Sequence, residues 1–141
     1  MRNIAPSDVL ECVKYVAISH ASKYRFERLP KHQIHPQIRL PLICALFRLI
    51  DGCDLSPARA NSVLYEILMA FDPLNDESKD VWNAHFAIAA VVFNNHRVVV
   101  SSRDRLLSSR LTDHLQQDLE HINEILQSYH FPSFSVNVRN V

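Results

Sequence analysis

The stretch Ile38–Arg59, IRLPLICALFRLIDGCDLSPAR, sets one arginine and two aspartates at the end of an otherwise apolar segment. These are Arg48, Asp51 and Asp54. A carboxylate in an apolar setting needs a cation or hydrogen-bond donors, because burying it alone is very costly. Spacings of three residues put all three side chains on one side of a helix end. Two chemistries fit. In one, Asp51 offers its carboxylate to a divalent cation and Arg48 is placed for a phosphate. In the other, Arg48 and Asp51 form an intrahelical ion pair at a solvated helix terminus.

The histidines are the other candidate ligands. His20, in AISHASK, stands near the end of the preceding helix. Metal sites take three or more protein ligands, so His20 needs at least two further His or Asp side chains. Otherwise it is a lone, partly exposed histidine. His32 and His35, in HQIH, make a loose pair within a connector. Trp82 and His85 share one helical face at i, i+3 and read as structural, the indole serving as a core anchor. His114, His121 and His130 fall on different faces of the last long helix or at its end, and read as surface. Spacing alone defines no Ser/His/Asp or Cys/His set.

The chain has a single glycine, Gly52. A phosphate-binding Walker loop and a dinucleotide fingerprint both need several, so both are excluded. Cys12, Cys44 and Cys53 form no CxxC pair and read as buried free thiols of a reducing compartment.

The elements that must position these residues follow from period and punctuation. Ser7 caps a first helix over about residues 7–22. Lys23 to Gln37, with Pro30 and Pro36, is a connector without regular period. A second helix starts near Arg39 and is apolar nearly all round, which predicts a central core helix. Ser56 and Pro57 open a helix over about residues 57–71, stopped by Pro73, and a short helix covers Asp76 to His85. Phe86–Phe93 and Arg97–Ser101 are β-branched and apolar, and Asn94-Asn95-His96 between them predicts a tight hairpin. A helical period returns over about Ser108–His130, with Leu111, Leu115, Leu119, Ile122, Ile125 and Leu126 on one stripe. Ser133–Arg139 alternates as a half-buried strand.

The fold class is therefore α+β: a helical N-terminal half followed by a small β-β-α-β layer. A length of 141 residues fits one domain, 1–141, helical over residues 1–85 and sheet-bearing over residues 86–141. Fifteen basic and fifteen acidic side chains cancel, so charge gives no case for general nucleic-acid binding. Apolar runs fall short of the roughly 20 residues of a membrane span, and Asp8, Glu11 and Lys14 interrupt any signal-peptide core. A cytoplasmic protein is the expectation.

Several phrases resemble the C-terminal portion of HD-superfamily domains, the metal-dependent phosphohydrolase-like helical fold. VKYVAISHASKYRFERLP resembles that fold's histidine-bearing helix, and RLPLICALFRLIDGCDLSPAR the apolar helix after it, ending in an arginine and aspartates. ESKDVWNAH and the hairpin AIAAVVFNNHRVVV are similar to phrases further along it. The resemblance implies that Asp51 is a metal ligand, His20 an auxiliary ligand or phosphate contact, and Arg48 a phosphate contact or a partner orienting Asp51. The implied cofactor is manganese, magnesium or iron. The family's adjacent His-Asp pair occurs nowhere in the sequence. Two ligands on separate helices hold a water-activating ion poorly. The resemblance thus implies an incomplete phosphohydrolase-like domain, inactive by itself, whether a piece of a longer domain or a stand-alone remnant. The alternative is a non-catalytic interaction or ligand-sensing module. In either case a second polypeptide or a second copy is expected to cover an exposed helical face.

Overall fold

A computed structural model of the chain describes residues 6–21, 24–30, 34–35, 37–71 and 73–141. The architecture is α+β, with helices first and a small sheet toward the C-terminus. Five helices are described: α1 Pro6–Ser19, α2 Leu40–Cys53, α3 Ser62–Phe71, α4 Asp76–Ala87 and α5 Arg105–Ser128. The strands are β1 Ile88–Asn94, β2 Arg97–Ser102 and β3 Ser135–Asn140, in the order β1-β2-β3. No helix among the described residues is long and apolar enough to cross a membrane.

The chain divides into two compact units, within α2 after Asp51 and within α5 after Leu119. The first comprises residues 1–51 and 120–133. Its core gathers Cys12 of α1, Phe26 and Leu29 of the following segment, Leu40, Cys44, Ala45 and Leu49 of α2, and Ile122 and Leu126 of α5. α1 ends at Ser19, short of residue 22. A turn of 3-10 helix, Phe26–Arg28, interrupts the connector that showed no period. α2 is not apolar-buried all round. Its i, i+4 row Leu40, Cys44, Arg48 is buried, whereas Ile43, Leu46, Phe47 and Ile50 are exposed, so one face alone meets the core.

The second unit comprises residues 52–119 and 134–141. Ser56 and Pro57 open a short 3-10 turn, Pro57–Arg59, in place of the expected helix start. The next helix, α3, begins only after Asn61, whose Oδ1 accepts from the Leu64 amide at 3.1 Å. Asn75 caps α4 in the same way through the Ser78 amide at 2.8 Å. Asp104 caps α5 by accepting from the amides of Leu106 and Leu107, at 2.9 and 3.1 Å. These side-chain oxygens serve amides that a helix start leaves without an intrahelical partner.

β1 and β2 pair antiparallel, Asn94 opposite Arg97. Their two-residue turn holds Asn95 and His96 at φ 43° and 60°, the left-handed geometry of a tight hairpin. β2 and β3 pair in parallel from Arg97/Ser135 to Ser102/Asn140, joined through α5. Val98, Val99 and Val100 of β2 are buried, as are Leu115 and Leu119 of α5. Inside this layer Ser102 Oγ donates to Ser108 Oγ at 2.8 Å, so two buried hydroxyls satisfy each other.

Candidate functional site at the end of α1

The C-terminal turn of α1 is where two of the sequence candidates converge. The last carbonyls of a helix have no intrahelical donor and carry the negative end of its dipole. Arg48 supplies donors. Its Nε donates to the Ser19 carbonyl at 2.7 Å, and its Nη2 to the carbonyls of Ala21, at 3.0 Å, and Tyr24. Only 2% of Arg48 is exposed, and its Cζ lies 4.3 Å from the centroid of the Phe26 ring. A planar fork is suited to several carbonyls in one plane and to stacking on an aromatic face, which an ammonium is not.

His20 is exposed just beyond α1, and its Nδ1 donates to the Ala17 carbonyl at 2.5 Å. With the proton held on Nδ1, the lone pair sits on Nε2, the tautomer in which a histidine accepts hydrogen bonds or ligates a cation. His20 lines a cavity of about 420 Å³ together with Ala17, Ile18, Ala21, Tyr24 and Arg28. Burial pushes the Tyr24 phenol pKa up, helped by Tyr15 and Cys44, while Arg28 pulls it down. Burial likewise raises the Cys44 thiol, partly offset by a hydrogen bond from Ser19.

Asp51 is half-buried in the last turn of α2. Asp54 is not part of α2, which ends at Cys53. It lies one residue past the helix, exposed, with its carboxylate 3.5 Å from Arg59 Nε. Among the described residues no group of three or more His, Cys, Asp and Glu side chains is placed to hold a metal ion. Asp51 and His20 therefore belong to no such group among the described residues.

His32 lies outside the described residues. His35 is buried, and its Nδ1 accepts from the Gln37 amide at 3.2 Å, a turn interaction. In the second unit, Trp82 packs its ring 5.4 Å from Tyr65 and 6.1 Å from Phe86. His85 Nδ1 donates to the Leu55 carbonyl at 3.2 Å, tying α4 to the segment after α2. His114, His121 and His130 are exposed, as expected.

Sequence reading missed Tyr24, Phe26 and Arg28. The acceptors of Arg48 are main-chain atoms, which no side-chain pattern reveals. One signal was available: Arg48 occupies an otherwise apolar i, i+4 row and so had to bring its partners with it.

Compared with family models, the chain matches the one described as HD-CE over residues 2–130. Neither the comparison with curated proteins nor that with solved structures gives a match.

Proposed function

The chain belongs to the HD-CE family, and from that premise we propose that it is an HD-type, metal-dependent phosphohydrolase-like domain that does not hydrolyse phosphate esters by itself. The observation that carries this reading is the commitment of Arg48. Its Nε and Nη2 are occupied by the end of α1 and the segment after it, so it is a positioning residue for the stretch that bears His20 and Tyr24. Asp51 and His20 then remain as this chain's contributions to a cation corner for manganese, magnesium or iron. The missing ligands would come from another polypeptide. The buried free thiols Cys12, Cys44 and Cys53 fit a cytoplasmic location.

The test is turnover of a phosphomonoester and a phosphodiester by the purified chain with manganese. No turnover is expected. Hydrolysis that Asp51→Ala abolishes would overturn the reading.

A second reading, a non-catalytic interaction module, is favoured by α3. Val63, Leu64, Ile67 and Phe71 of that helix are all exposed, Phe71 at 86%. Here Asp51→Ala leaves a partner complex intact, and Ile67→Asp removes it.

A further inference from the structure

The free edge of the sheet has the composition of a self-pairing strand. β1 is an outer strand, bonded to β2 on one side only. Val92 and Phe93, which point to opposite faces of the sheet, are 53% and 54% exposed, and Ala90 is exposed too. The Val92 and Phe93 side chains thus remain about half exposed, the Phe93 ring meeting that of Phe134 edge-on at 6.5 Å. No charge and no proline occurs from Ile88 to Asn95. Charged or proline-bearing edges are the usual means by which a sheet avoids extending itself, and β1 uses neither. Its single irregularity is a bulge between Ile88 and Ala90, at the start of the strand and away from its exposed end.

We propose that β1 pairs antiparallel with β1 of a second copy of this chain, about a two-fold axis at Val91, to make a continuous six-stranded sheet. The occupant is argued from size and charge. With Val91 opposite its own copy, Val92 faces Ala90, so a large side chain meets a small one on both sides of the axis, and the bulged Ala89 lies outside this central ladder. A two-fold interface must be complementary to itself, and this strand is. Since no charge lies on the strand, the pairing opposes no like charges. Each copy also satisfies outer-edge amides and carbonyls that otherwise depend on water.

Cysteine at the axis tests register and partner together. Directly opposed residues of antiparallel strands have Cα atoms about 4.5–5.5 Å apart, within the range a disulfide spans. Val91→Cys should therefore form an intermolecular disulfide dimer under mild oxidation. Val92→Cys, which faces Ala90, should not, and neither should the wild type, whose thiols are buried. Failure of Val91→Cys to cross-link, or equal cross-linking by Val92→Cys, would overturn the proposal. Sedimentation of the unmodified chain gives a second readout. A concentration-dependent dimer is expected, weakened about tenfold or more in Val92→Lys by two desolvated ammonium groups. A wild-type chain that stays monomeric at high concentration would overturn it as well. Circular dichroism establishes that Val92→Lys is folded, and the cysteine pair decides the matter if it is not.

Discussion

Arg48 stacks its guanidinium 4.3 Å above the ring of Phe26 while Nε and Nη2 hold the carbonyls of Ser19, Ala21 and Tyr24. One side chain of α2 thereby fixes both the end of α1 and the path of the chain that leaves it. The buried cation satisfies the Ser19 carbonyl, which the helix terminus strands, and adds donors to the part-buried carbonyls of Ala21 and Tyr24.

Removing it should be expensive. Arg48→Met removes the guanidinium donors of the buried Ser19 carbonyl and of the part-buried Ala21 and Tyr24 carbonyls, and should cost about 3–5 kcal/mol in urea denaturation, or prevent folding of the first unit. Arg48→Lys keeps the charge but loses the fork and the stacking, and should still cost about 2 kcal/mol. A lysine variant as stable as wild type would show that charge alone suffices there.

The thiol of Cys53 sets a limit in alkali. Burial pushes its pKa from 9.0 up to about 12. The folded state holds this proton more tightly than the unfolded chain does. The stability it contributes is fully present below pH 9.0 and is lost as pH climbs toward about 12. Within that window the loss approaches about 1.4 kcal/mol per pH unit. Cys53→Ala should lower stability at neutral pH through a cavity, yet flatten the alkaline slope measured by urea midpoints. A slope that persists in the variant would assign it to other groups.

His130 closes α5 in a strained conformation. Its φ is 62°, the Phe131 amide donates to the Leu126 carbonyl at 2.9 Å, and the His130 amide to that of Gln127 at 2.9 Å. This is the helix-ending loop that glycine normally occupies, because a Cβ is crowded at positive φ. His130→Gly should raise stability by about 1 kcal/mol, seen as a higher melting temperature. A loss would mean that the imidazole makes a compensating contact.

Gly52 is the converse case. A Cβ there would meet only Leu115 Cδ1, at 3.3 Å, the tip of a flexible side chain. Gly52→Ala restores helix propensity near the end of α2 for a shift of a few tenths of an ångström. It should stabilise by about 0.5 kcal/mol in thermal melts. Destabilisation would show that Leu115 is locked.

The class of fold was legible because its signals are local. The hairpin followed from β-branched runs around Asn95 and His96, and the α5 stripe from Leu115, Leu119, Ile122 and Leu126 at helical spacing. Helix starts were less legible where a cap and a decoy competed. Ser56-Pro57 has the form of a helix start but holds a 3-10 turn, while Asn61 and Asp104, the real caps, stood unremarked among polar residues. At the site, Arg48 stood out by type, as a cation set in an apolar helical row, and His20 as an imidazole near the end of a helix. That both meet the end of α1 depends on main-chain carbonyls that have no signature in sequence. The burial of one α2 face depends on which elements pack against it, which the near-uniform apolarity of that helix conceals.

The chain has one tryptophan, and its ring lies against Tyr65 and Phe86 in the second unit. Indole emission is therefore a private spectroscopic channel for that half of the molecule, whereas Tyr15, Tyr24 and Tyr129 belong to the other. Exciting the indole alone, beside a whole-chain signal such as helical ellipticity, tells whether the two halves melt in one step or in sequence, with no label attached.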